Sequence, residues 1–133
     1  MDGIITVWVI TWRTVWPAML AAVLFPLMAL LLRRRVDAPP LLAFALPLLG
    51  PILIIAWSGL FWGAEERTTS GVQWASTTQM VLVLASLALI IWVLVHNRMA
   101  PRYWTVIIAA IANFIFVLAA GFVGSMAISN TWL

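Results

Sequence analysis

The sequence predicts an all-α membrane protein, a single domain of four transmembrane helices in an antiparallel bundle. Three observations carry this. First, 65% of the 133 residues are hydrophobic and only 8% are charged, against about 45–50% and 25% in soluble domains. Second, the apolar residues fall into four long runs, and a spanning helix needs roughly 20 mostly apolar residues. Third, the linkers between the runs are short and hold most of the charge. In lipid every backbone polar group must be paired within the protein, which leaves helices or a closed barrel. Barrel strands are short and alternate apolar with polar residues. Long unbroken runs therefore mean helices.

Helix 1 is expected from about Val15 to Leu32, with residues 4–14 as an interfacial stretch or helical extension. Asp2 precedes this run, and Arg33, Arg34 and Arg35 follow it. A signal peptide has the opposite order, with positive charge before its apolar segment, so the run reads as a retained span. Helix 2 is expected over residues 41–62. Pro47 and Pro51 lie four apart in it, remove the hydrogen bonds to the carbonyls of Ala43 and Pro47, and predict a kink. Helix 3 is expected over 75–95 and helix 4 over 103–129. Linkers this short make consecutive helices antiparallel neighbours.

Charge sets the direction. The first and third linkers hold Arg33, Arg34, Arg35, Arg98 and Arg102; the other side holds Arg67 and, on this reading, Arg13. The positive-inside bias puts the two Arg-rich turns in the cytoplasm and both termini outside, in a plasma (cytoplasmic, inner) membrane. Trp8, Trp12, Trp62, Trp74 and Trp132 then fall near the outer interface, Trp92 and Trp104 near the inner one, with Trp16 and Trp57 slightly deeper. Tryptophan favours that zone because its ring is apolar and its N–H wants a polar partner.

No charged residue or histidine lies in the middle of any span drawn this way, which argues against ion-coupled transport. Glu65 and Glu66 are adjacent in an exposed linker, His96 is the one histidine, and there is no cysteine. Thiolate metal sites and cysteine nucleophiles are excluded. The expectation is no enzyme activity, no cofactor and no nucleic acid. Lipids are expected, together with other membrane subunits or copies of the chain itself.

Two sets of residues are candidates for function. Asn113, Ser86 and the Gly50–Pro51 break share one level near the middle of their helices, counting about 1.5 Å per residue. They serve either packing or a polar ligand site. Trp8, Trp12 and Trp16 form an i, i+4, i+8 ridge with Arg13 close by. Ala120/Gly124 and Gly121/Ser125 are small-residue pairs that permit close helix contact, within the chain or between chains. Ridge and seam together suggest a contact surface for a partner. The leading expectation is a non-enzymatic subunit, an accessory, assembly or anchoring component of a larger membrane complex, or a homo-oligomer. The alternative is a small oligomeric channel or transporter lined by Asn113 and the helix 2 break.

Overall fold

A computed structural model describes residues 2–32, 39–63 and 74–129. It contains four helices: α1 (Asp2–Leu32), α2 (Leu41–Leu60), α3 (Trp74–His96) and α4 (Tyr103–Ser129). No strand occurs among the described residues. All four helices are long and apolar enough to cross a membrane. A 20-residue helix such as α2 is about 30 Å long, the thickness of the hydrocarbon core. The chain is a multi-pass membrane protein.

Local chemistry sets the helix ends. α2 starts after Pro40, whose carbonyl accepts from the Ala43 N–H at 2.9 Å. It ends with Phe61 donating to the Trp57 carbonyl at 3.0 Å. Gly63 then turns the chain with φ 63°, a left-handed conformation that glycine adopts without a Cβ clash. The Gly63 N–H donates to the Ala127 carbonyl of α4 at 2.8 Å, which ties the ends of α2 and α4 together. At the far end of the bundle, Asn97 closes α3 through its backbone N–H and its side-chain Nδ2, both donated to the Val93 carbonyl. Tyr103 Oη donates to the Leu94 carbonyl at 2.9 Å and clamps the turn between α3 and α4.

α2 and α4 pack on each other and form the centre. α1 and α3 lie on either side of that pair, each touching both. One apolar cluster joins Val7, Met19, Ile54, Ile90, Phe116 and Val123, and a second joins Ala43, Phe44, Val93 and Val106. Lipid is as apolar as leucine, so helices here are sorted by size rather than by polarity. In α4 the buried residues include Ala109, Ala110, Ala112, Ala120, Gly121, Gly124 and Ala127, while Ile107, Ile108, Ile111, Phe114, Leu118 and Phe122 face outward.

Of the two forms expected for residues 4–14, α1 takes the helical extension. It is helical from Asp2, and its first half is part of the packed bundle: Val7 and Thr11 are fully buried. Gly3 meets the Gly59 carbonyl near the end of α2, and Phe25 stacks on Phe44 near its start at 6.2 Å. The helix is interrupted at Val15 (φ −136°, ψ 34°). Pro17 explains the break: it cannot donate to the Arg13 carbonyl, and its ring crowds that group. The residues just before a proline are also pushed away from helical geometry. By contrast, α2 runs as one helix through Pro47 and Pro51.

Two glycine contacts make this packing testable. A Cβ on Gly59 would collide with the backbone and side chain of Ile4. Gly59→Ala is therefore expected to lower stability by about 1–3 kcal/mol, the usual cost of overpacking, in detergent-micelle unfolding. An unchanged midpoint would mean that the start of α1 does not pack there. A Cβ on Gly50 would lie 2.5 Å from Ser86 Oγ and 2.6 Å from Ser86 Cβ. Gly50→Ala should therefore destabilise, Ser86→Ala should fail to rescue it, and Ser86→Gly should rescue it.

Candidate functional site

In an apolar bundle the informative groups are polar ones, because each costs free energy unless it is paired. They occur at three places.

The first is the middle of the bundle. Gly50 and Pro51 of α2 are buried, and Gly50 lies directly against Ser86 of α3. Ser86 Oγ donates to the Leu82 carbonyl of its own helix at 2.6 Å. Asn113 of α4 is fully buried; its Nδ2 donates to the Ala109 carbonyl at 2.9 Å, and its Oδ1 has no partner. Ser86 and Asn113 thus each bond back to their own helix and not to each other.

The second place was not singled out from the sequence. Gln79 lies five residues into α3 and is only 1% exposed, and neither atom of its carboxamide has a hydrogen-bond partner. It packs over Gly124 of α4 and beside Ser58 of α2: a Cβ on Gly124 would collide with the Gln79 nitrogen and with Ser58 Cβ. Ser58 Oγ is already committed to the carbonyls of Ile54 and Ile55. Close by, Trp57 Nε1 donates to the Ala75 carbonyl at 3.1 Å. On the outer surface a cleft of about 510 Å³ runs between α3 and α4, bordered by Gln79, Met80, Val83, Gly121 and Ser125. The signal present in the sequence was one glutamine within the expected helix 3, directly after the polar run Ser76-Thr77-Thr78.

The third place is the outward face of α1. Arg13 lies ten residues after Gly3 and twelve before Phe25, and those two residues mark opposite ends of the contact with α2. Arg13 therefore sits about halfway along the bundle. Trp8 agrees with this level, its ring meeting Phe116, the middle residue of α4, edge-on at 6.4 Å. Arg13 is exposed and shares a shallow hollow of about 370 Å³ with Trp8, Val9 and Trp12. Among the described residues it forms no ion pair or hydrogen bond. The break at Val15 is two residues away, and Pro17 leaves the Arg13 carbonyl without its helical donor.

This changes two expectations. Trp8 and Trp12 lie inside the bundle's length rather than at its outer rim, and the helices do carry a charge near their middle. Polar letters concealed this. Thr6, Thr11 and Thr14 lower the apparent hydropathy of the segment, yet each hydroxyl donates to the carbonyl four residues back, those of Asp2, Val7 and Ile10, at 2.8–2.9 Å. A threonine paired in this way no longer marks an aqueous segment.

Comparison with known protein families, with curated proteins and with solved structures finds no match.

The remaining candidates have definite places. Ala120, Gly121 and Gly124 are buried, with Gly121 against Val83 and Gly124 against Gln79 and Ser58. Of the two uses open to the small-residue seam, these glycines display contact within the chain. Ser125 is exposed and donates to the Gly121 carbonyl at 2.8 Å. Trp16 is 52% exposed on the ridge of α1. His96 is exposed, with its ring stacked on Trp92 at 4.9 Å. No group of three or more His, Cys, Asp or Glu residues suited to a metal occurs among the described residues. Glu65, Glu66, Arg67, Trp132 and Arg33–Arg35 lie outside them.

A buried carboxamide with no partner is a net cost. Replacing it by an apolar side chain of similar length should therefore raise stability. Gln79→Met is expected to stabilise the bundle by about 1 kcal/mol, read from unfolding in detergent. A loss instead would reveal a partner for the amide. Gly124→Ala should destabilise through the same contact. The two substitutions should couple by about 0.5–3 kcal/mol in a double-mutant cycle, since contacting residues do not add independently.

Proposed function

We propose that the protein is a non-enzymatic subunit of a larger membrane assembly. It crosses the bilayer as an antiparallel bundle with both termini outside, the Arg-rich turns in the cytoplasm and a bend of α2 at Pro47 and Pro51. The observation that carries the subunit reading is Arg13, exposed on the outward face of α1 about halfway along the bundle. A charge at the bilayer centre costs about 2.5–3.5 kcal/mol on insertion scales, and such groups pair with one another or line water-filled cavities. The chain's four carboxylates are Asp2, Asp37, Glu65 and Glu66. Asp2 begins α1, and the other three lie outside the described residues. A partner outside the chain would satisfy the guanidinium within the membrane.

The orientation rests on the arginine bias. With Arg13 placed inside a span, five arginines in the first and third linkers stand against Arg67 alone in the second, and the asymmetry favours the same direction more strongly.

A second reading, a small oligomeric channel or transporter, draws support from the unpaired Asn113 Oδ1 and the Gln79 carboxamide in the interior. Groups of this kind could face a polar path once chains assemble.

Gentle detergent extraction from the native host tests the first reading. Different polypeptides should accompany the chain at fixed stoichiometry, and a protein that purifies only with itself would overturn it. The channel reading expects a solute or ion flux in liposomes that Asn113→Leu alters without loss of expression. Orientation can be read by thiol labelling, because the chain has no cysteine. On intact cells an impermeant maleimide should label Asp2→Cys. Met99→Cys, at a position 89% exposed in the turn after α3, should react only after lysis. The reverse pattern would invert the topology.

A further inference from the structure

We infer that the α1 face around Arg13 docks a transmembrane helix of a different protein, one that carries a carboxylate at the matching mid-membrane level. The inference rests on the subunit reading and adds to it the chemistry of the partner. Its first support is the shape of the face. Trp8 and Trp12, 40% and 41% exposed, stand four residues apart, with Val9 between them and Arg13 at the edge of the hollow. That is the i, i+4 spacing of a ridge that another helix packs against.

Charge selects the occupant. Arginine stays protonated in proteins and presents a planar fork of donors. A carboxylate can accept two parallel N–H bonds from that fork. A carboxylic acid alone in lipid is held neutral by desolvation, and a nearby guanidinium favours its ionised form. Each group thus removes the other's cost.

Two other occupants fit less well. A bundle centred in the bilayer puts lipid phosphates about 15 Å from Arg13, half the hydrocarbon thickness, a long way for a snorkelling side chain. A second copy of the chain, related by a two-fold axis along the membrane normal, would bring a second Arg13 to the same face at the same level. Among the described residues its one carboxylate is Asp2, at the start of α1. A different polypeptide is therefore the occupant that the charge favours.

The test uses the full chain in phosphatidylcholine vesicles, dye-labelled at Met99→Cys, far from the proposed face. The probes are leucine–alanine peptides of about 20 residues, long enough to cross the bilayer, with a central Glu or a central Gln and an acceptor dye. Energy transfer should report binding of the Glu peptide roughly tenfold tighter than the Gln peptide, a difference of about 1.4 kcal/mol. Arg13→Gln should abolish that preference, and Arg13→Lys should retain part of it. Equal affinity of the two peptides for the parent chain would overturn the inference, as would a preference that survives Arg13→Gln. The peptide comparison on the labelled chain with Arg13 intact does not depend on any Arg13 variant folding. Native extraction separates the two levels of the argument. A partner polypeptide that accompanies both the parent chain and Arg13→Gln would overturn the carboxylate inference and leave the subunit reading standing. If the parent chain brings down no other polypeptide, the subunit reading falls whatever the peptides do.

Discussion

The meeting of Gly3 with Gly59 decides how the rest of the chain is read. The two backbones approach so closely there that a methyl group on Gly59 would collide with Ile4. With that end placed and Phe25 stacked on Phe44 at the other, every residue between has an assigned level. Val7 and Thr11 turn inward and are buried. Trp8 reaches the middle of α4. Arg13, on the opposite face, has nowhere to go but the bundle's mid-height. A one-atom side chain thus decides whether the cation belongs to an interface or to the hydrocarbon.

The same logic governs the centre. Lipid supplies no hydrophobic drive to bring helices together, so close packing and internal hydrogen bonds must do so. α4 answers with alanines and glycines among the larger buried residues of its inner face, such as Phe116 and Ile128, and with large apolar residues outside. That arrangement lets α2 and α3 approach near Gly121 and Gly124, and in doing so closes Ser58 and Gln79 into the same contact. Serine and threonine tolerate such burial, because their short side chains bond back to the preceding turn. The glutamine does not reach back in this way, and its amide is left unpaired. Close approach and polar orphanhood are here two results of the same small residues.

The number and extent of the later spans were legible in the sequence, since length and unbroken apolarity are properties of the chain alone. The expected 103–129 coincides with α4 (Tyr103–Ser129), and the expected 41–62 with α2 (Leu41–Leu60) to within two residues. The start of α1 was legible only as two alternatives, an interfacial stretch or a helical extension. The contact at Gly59 and the burial of Val7 and Thr11 decide for the extension, and neither can be seen in the sequence. Depth could be counted for Asn113 and Ser86, but not that each would bond back to its own helix. Gln79 was visible as a letter. Its burial depends on Gly124 and Ser58, which lie 45 and 21 residues away in sequence.

The unpaired polar groups differ in what could satisfy them. The Asn113 oxygen is enclosed within the chain, and the Gln79 amide is buried beside the cleft between α3 and α4. Both are neutral, and a neutral orphan costs a few kcal/mol at most. Arg13 is different on both counts: it is charged and it faces outward. A guanidinium cannot shed its proton to lower its cost, and α1 offers it no neighbouring acceptor beyond a carbonyl released by Pro17. The demand is therefore directed away from the bundle, about halfway along its length. A surface that presents such a demand between two tryptophans is incomplete as a lipid-facing surface, and a partner helix bearing the opposite charge would complete it.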